Sequence, residues 1–318
     1  MMSCLVIGES LIDVVKRGPN QTTRHPGGSP MNVAVGLARL GRRVKLLTRF
    51  GDDFDGDTIR DYVEGAGVTL MPGAVDTDAT SIAMASLDEH RHATYRFDVH
   101  SAYVDPPAAG EKRAALITHP PLHVHIGSIG AHLRPGSDTV RRWIELLSPH
   151  STVSYDPNVR LSILGSADSI VADMEAMLPY IDIVKASTDD LHMLFGPSAD
   201  SMAFVNHLFE RGVKFVSITD GPNGSQFFTP AISIHIPAAQ VKVVDTVGAG
   251  DAMMAALIDS LARISVLGED RARLTSISTQ MLQSVGEYAS RAAGITVSRA
   301  GANPPTRAEL NDVVANLL

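Results

Sequence analysis

The sequence predicts an α/β protein, a mostly parallel central sheet with helices on both faces, plus a small β-sheet lid standing off it. Three observations lead there. Short apolar runs recur along the chain with helical stretches between them, the alternation that builds a parallel sheet covered on both sides. The region 80–99 breaks that rhythm and reads as an antiparallel hairpin. The composition, 44% hydrophobic and 19% charged over 318 residues, is that of a globular chain and is too apolar for a disordered one. The length fits one large α/β domain or two smaller ones; with no long linker, residues 1–318 are read as one domain.

The elements follow in order. Residues 4–8 form a continuous apolar run of the kind buried on both faces of a parallel sheet. A helix is expected over 30–40, with Ser29 as its cap, Pro30 in its first turn and Gly41 ending it. Further strands are expected at 44–48, 123–126, 152–155, 181–185 and 215–219, and helices at 139–147, 169–178 and 203–211. Residues 80–88 and 92–99 read as the hairpin strands, joined by a polar turn at 88–91. With the strand-like segment 11–16 they make a small sheet, formed from roughly 9–25 and 78–103. It is read either as a cover over a site or as a surface ornament.

Several classes are excluded at this stage. No apolar run approaches the ~20 residues of a membrane helix, and the N-terminal apolar stretch is too short for a signal peptide. The single cysteine, Cys4, cannot close an internal disulfide, so a cytoplasmic location is the simplest expectation. A net charge of −8, from 27 basic and 35 acidic residues, gives no reason to expect nucleic acid or an anionic membrane as partner. An anionic ligand would have to be held by local backbone donors.

The run Asp245-Thr246-Val247-Gly248-Ala249-Gly250-Asp251, followed by a helix over 252–263, offers such donors. Two near-adjacent glycines before a helix let amide groups converge, and the helix N-terminus adds partial positive charge. Asp251 beside an anion hole reads in two ways: as a general base for phosphoryl transfer, or as a helix cap. A second glycine pair, Gly27-Gly28, precedes Asn32, while Asp13 follows the first strand. Asp13 and Asn32 look like a reader of vicinal hydroxyls, and Gly28 allows close backbone approach. The chain carries no P-loop, no dinucleotide fingerprint and no protein-kinase motif set.

These two glycine segments, in order and at opposite ends of the chain, resemble the two signatures of the PfkB, or ribokinase-like, carbohydrate kinases. Asp156-Pro157-Asn158-Val159-Arg160 and Thr219-Asp220-Gly221-Pro222-Asn223-Gly224 agree with them, and the similarity runs over nearly the whole length. The resemblance implies an ATP-dependent kinase for a small-molecule sugar. Asp251 would be its catalytic base, and the amides of Gly248, Ala249 and Gly250 its anion hole. By the same resemblance Asp13, Gly28 and Asn32 bind sugar, and Arg160 touches the sugar or the γ-phosphate. Ser187, Thr219, Gly221, Gly224, Gly250 and Ser290 line the nucleotide. Asp190 supports Mg²⁺ through water, one methylene shorter than the glutamate usual there. Asp245, Val247 and Gly301 match parts of a monovalent-cation site for K⁺, although Pro305 stands where ribokinase supplies a serine. Residues 27–41 look most like fructokinase-type members, as do Tyr95-Arg96-Phe97 and Gly127-Ser128-Ile129-Gly130. Fructose is therefore the first expected acceptor, ahead of ribose, 2-keto-3-deoxygluconate and a nucleoside. A non-catalytic sensor on the same fold is the alternative of another class. A homodimer through the lid is implied by resemblance alone.

Some features carry no site on their own. Six of the twelve histidines fall between His90 and His125 without metal-ligand spacing. Met253, Met254 and Trp143 are expected in the core.

Overall fold

A computed structural model describes residues 3–16, 22–87 and 93–310. The strands in chain order begin with β1 (Cys4–Ile7), β2 (Leu11–Lys16), β3 (Thr22–Gly27), β4 (Val44–Leu47), β5 (Phe50–Gly51) and β6 (Thr69–Leu70). Then come β7 (Val75–Asp76), β8 (Ile82–Leu87), β9 (Ala93–Asp98), β10 (His123–Gly127) and β11 (Thr152–Asp156). The series ends with β12 (Ile183–Ser187), β13 (Phe215–Thr219), β14 (Ser225–Phe228) and β15 (Ser233–Ile236). The helices are α1 (Ser29–Arg39), α2 (Phe54–Gly65), α3 (Glu111–Thr118), α4 (Gly136–Leu147), α5 (Leu161–Leu164) and α6 (Ala167–Met177). After them come α7 (Thr188–Phe195), α8 (Ser201–Glu210), α9 (Ala249–Arg263), α10 (Thr279–Val297) and α11 (Arg307–Leu310).

Nine strands form the main sheet in the order β15-β14-β13-β12-β11-β10-β1-β4-β6, parallel from β13 to β6 and antiparallel through β14 and β15. Residues on its strands alternate between two cores. Cys4, Val6, Ile183 and Phe215 pack under α1, α9 and α10, while Leu5, Ile7, Val124 and Val184 pack under α4, α6 and α8. Met253, Met254 and Trp143 are buried in these cores as expected. Because the central strands are parallel, their carboxyl ends share one edge, where open α/β sheets bind ligands.

The second sheet has the order β3-β2-β8-β9. Strand β2 runs antiparallel to β3 and parallel to β8, with Asp13 opposite His25 and Ala83. Ile12 and Val14 are buried in the main core, so this sheet is rooted on the body beneath it. The turn expected at 88–91 lies outside the described residues, as does the side chain of Tyr95.

Some elements lie elsewhere than their sequence pattern predicts. Ser29 is not the cap of α1: Gly28, at φ +114°, occupies that position, and Ser29 is the first helical residue, its hydroxyl directed to another helix. The strand expected at 181–185 starts at Ile183, because a single 3₁₀ turn at Leu178–Tyr180 delays it. Strand β3 contains Pro26 and lacks alternation; it is tolerated as a sheet edge, where a missing N–H is harmless.

Helix α9 is fastened to its surroundings at Asp259, whose side chain is fully buried. The guanidinium groups of Arg42 and Arg307 pair with its Oδ1, and the Tyr288 hydroxyl donates to Oδ2 at 3.0 Å. Removing a buried carboxylate from two cations costs about 3 kcal/mol. Asp259→Ala is therefore expected to lower unfolding free energy by about that amount in urea titrations. A loss below about 1 kcal/mol, the range of an exposed ion pair, would show that the cluster does not anchor the helix.

Candidate active site

Helix α9 begins at Gly248, which has φ +76°. A Cβ there would lie 2.6 Å from the Ala302 Cβ, so both backbone and space require glycine. Asp251 is the third residue of the helix and not its cap, which removes the capping explanation for it. It is 8% exposed. The Ser29 hydroxyl donates to its Oδ1 at 2.7 Å and the Asn32 side-chain amide to its Oδ2 at 2.8 Å. Two helix N-termini thus converge on one carboxylate, each adding partial positive charge.

The amides of Gly248 and Gly250 find no acceptor among the described residues, whereas Ala249 N–H donates to the Thr246 carbonyl at 3.3 Å. Of the three expected anion-hole donors, two are therefore free and the third is engaged by a long bond. The Asn32 side-chain amide donates one of its two N–H bonds to Asp251, and its Oδ1 is buried without a partner. A buried acceptor of this kind fits a ligand hydroxyl.

Asp13 approaches the same place from the second sheet, near enough to feel the charge of Asp251. A Cβ on Gly27 would lie 2.1 Å from its Oδ2, so Gly27 makes room for the carboxylate. Burial pushes the Asp13 carboxyl up to about 6, against the pull of Arg160 and His25 and with a further push from Asp251. Gly28 passes so close to the body that a Cβ would lie 2.5 Å from the Glu9 carbonyl oxygen. Arg160 is exposed and donates to the carbonyls of Asn158 and Val159, while its charge is felt by Asp13.

The residues expected around a nucleotide lie along the neighbouring strand ends. Ser187 ends β12 directly opposite Thr219, the last residue of β13. Its hydroxyl is committed to a capping box with Asp190. The Asp190 carboxylate takes three hydrogen bonds, from Val159 N–H at 2.7 Å, Ser187 N–H at 2.8 Å and the Ser187 hydroxyl at 2.6 Å. Gly221, at φ +47°, opens a single turn, and Gly224 closes against Ile236. Ser290 sits on α10 with its Oγ buried and unpartnered. Asp245 draws the remaining expected residues together: Oδ1 accepts from Val247 N–H at 3.0 Å and Oδ2 from Gly301 N–H at 2.9 Å. Those backbone bonds hold its carboxyl below the usual range.

Three groups at this edge go beyond what the sequence pattern predicts. Ser29, which reads locally as a cap, is a donor to Asp251. Glu9, 2% exposed, accepts from Gly130 N–H at 2.8 Å. Lys185 pairs with Asp156 at 2.8 Å, both fully buried. A lysine inside the apolar run 181–186, and an acid directly after the Gly8 that ends the first strand, were the available signals. His123 and His125 are also buried, bonded to Thr152 and Ser154 hydroxyls, and burial pushes His123 down to about 3.

A family model described as pfkB family carbohydrate kinase matches residues 1–309. This chain belongs to that family. Among its relatives, a fructokinase of Rhizobium leguminosarum bv. trifolii is 30% identical over 88% of this chain and 85% of that protein. The crystal structure of fructokinase with bound ATP from Xylella fastidiosa shares the fold at a TM-score of 0.80 and 24% identity, covering 99% and 98% of the two chains. Aminoimidazole riboside kinase from Salmonella enterica, complexed with aminoimidazole riboside and an ATP analog, matches at 0.74 and 26%, covering 98% and 99%. The ribokinase-like architecture with its small second sheet and the carbohydrate-kinase activity class thus agree with the sequence analysis. Among the described residues of this carbohydrate kinase, no helix is long and apolar enough to cross a membrane.

Glu9 gives this kinase a pH signature. Burial pushes its carboxyl up to about 7, against hydrogen bonds from the chain and Ser128 and with a small push from Asp251. A folded-state value above the ordinary 4.5 means that its contribution is full below that value and is lost as pH rises through about 7. Glu9→Gln keeps an acceptor for Gly130 without the ionisation. Its melting temperature is expected to gain on wild type as pH rises from about 5 to about 8; a constant difference would show that Glu9 does not titrate there.

Proposed function

We propose that this protein transfers the γ-phosphoryl group of ATP to a hydroxyl of a small sugar, with fructose or a similar keto or furanose sugar preferred. One observation carries the reading. An oriented carboxylate, Asp251, stands in the first turn of a helix whose opening amides, Gly248 and Gly250, are free. A base beside anion donors is the arrangement phosphoryl transfer needs.

In this mechanism Asp13, the Gly28 segment and Asn32 Oδ1 hold the sugar, and Arg160 reaches the sugar or the γ-phosphate. Asp251 accepts the proton of the attacking hydroxyl while Gly248 and Gly250 donate to the phosphoryl oxygens, with Ala249 joining if it releases Thr246. One well-aimed donor of this type is worth ~3 kcal/mol in the transition state. Ser187, Thr219, Gly221, Gly224 and Ser290 line the nucleotide. The free amides and the unpartnered Ser290 Oγ fit that role.

Mg²⁺, when bound, would neutralise phosphate charge. Among the described residues no group of three or more His, Cys, Asp or Glu could hold a metal, so the ion would take most of its ligands from phosphate and water. A carboxylate has about four acceptor sites; Asp190 uses three, and the remaining one fits support through water. Asp245, Val247 and Gly301 are gathered round a carboxylate that stays charged, which fits K⁺. A homodimer joined through the lid belongs to the same proposal, since β3 is an exposed edge strand of the kind that pairs with another chain.

A coupled assay of ADP release with fructose, ribose, 2-keto-3-deoxygluconate and nucleosides tests the reading, with fructose expected to give the highest kcat/KM. Turnover with none of them would leave the sensor alternative. Asp251→Asn should lower kcat by about 10²–10⁴-fold while sugar binding stays measurable; full activity in that variant excludes the mechanism.

A further inference from the structure

The sheet edge beneath the base holds one charge to which the mechanism above gives no task. Lys185 lies on β12 between Val184 and Ala186, all three buried. Its Nζ is 2.8 Å from Asp156 Oδ2. An ammonium carries three N–H groups, and Asp156 is its one partner among the described residues. A Cβ on Gly250 would lie 3.3 Å from Nζ. The ammonium therefore rests against the second residue of α9, beside one of the two free amides.

That position is electrostatically expensive for an empty site. Burial opposes the charge, and the positive end of a helix opposes it again. Asp156, with lesser help from Asp190 and Asp251, outweighs burial and keeps Lys185 above its ordinary value. Asp156 is itself left with Oδ1 buried and without a donor. A buried pair kept only for stability gains little over two apolar residues. A cation with spare donors, placed where an anion is to be received, gains when that anion arrives.

We propose that Lys185 is a further catalytic residue of the phosphoryl transfer: its spare N–H groups donate to an oxygen of the migrating phosphoryl group, next to the Gly250 amide. The inference rests on the function proposed above. In the step, the sugar oxygen forms a bond to the γ-phosphorus as the bond to the bridging β,γ-oxygen breaks. The hydroxyl proton passes to Asp251, and ADP leaves. Lys185 stays protonated throughout and carries no proton; its contribution is to offset charge on the group in flight.

The experiment compares wild type, Lys185→Met, and Lys185→Met with Asp156→Asn, the last relieving the carboxylate that the first leaves unpaired. Calorimetry of a non-hydrolysable ATP analogue against ADP needs no sugar and reads the contact directly. Lys185→Met is expected to weaken the analogue by about tenfold or more, the worth of a hydrogen bond to a charged group, and ADP by less than about threefold. With the best sugar of the panel, kcat should fall about 10²-fold with KM for the sugar little changed. The double variant should regain thermal stability and not kcat. An unchanged preference for the analogue over ADP, or recovery of kcat together with stability in the double variant, would overturn the proposal and make the pair structural. A lost preference in a protein that phosphorylates no sugar would sink the sugar-kinase reading and leave the phosphoryl contact standing. Turnover with an intact preference would do the reverse.

Discussion

The site depends on hydrogen bonds that cross from the first turn of one helix to the first turn of another. Ser29 and Asn32 sit on α1, Asp251 on α9, and the Asp251 carboxylate receives one bond from each. Both helices open at a glycine with positive φ, Gly28 at +114° and Gly248 at +76°. Each turn lets its helix start abruptly at the sheet edge with amide ends facing the gap. The carboxylate between two such ends is held in one orientation by a donor on each of its oxygens.

The same edge concentrates acids in a protein that is already negative overall. Glu9, Asp13 and Asp156 are all pushed up by burial, to about 7, 6 and 6. Each feels Asp251 as a further push. Crowded titratable groups of this kind mark functional sites more often than structural ones. Asp156 is paired with Lys185, and any anion received at this edge would be held by local donors against the negative field of the whole chain.

How much of this was legible in the sequence follows from the range of each interaction. The strands β1, β4, β10, β11 and β13 show through apolar residues that both-face burial favours, although Lys45, His123, His125, Thr152, Ser154 and Ser217 interrupt the runs. Gly248 and Asp251 show because a tight turn and a helix start are encoded within seven residues. Ser29 does not show: its partner is 222 positions away, and a serine before a proline-opened helix reads locally as a cap. Lys185 is visible only as an anomaly in an apolar strand, since its meaning comes from Asp156 on one neighbour and Gly250 across the sheet edge. Strand β3 fails for another reason. As an exposed edge with a proline it carries neither alternation nor β-forming composition, and only its pairing with β2 makes it a strand.

The division of labour between the two sheets explains why the reaction class is readable and the sugar is not. Asp251, the amides of Gly248 and Gly250, Ser187 and Thr219 stand on the ends of packed, parallel strands and on helices rooted in the core. Asp13 stands on the second sheet, where it feels the charge of Asp251 and where Gly27 leaves room for its carboxylate. Ile12 and Val14, on either side of it, are buried in the main core, so β2 ties Asp13 to the body. Ile82 and Met84 of β8, on one side of β2, also pack against that core, whereas β3 on the other side is not held in that way. Strand β3 is largely exposed, and its residues can change without disturbing the packed sheet. Packing constrains the first set of positions, so the sequence shows them. On the exposed residues of β3 no packing rule fixes the side chain, and a sequence there carries the least physical constraint.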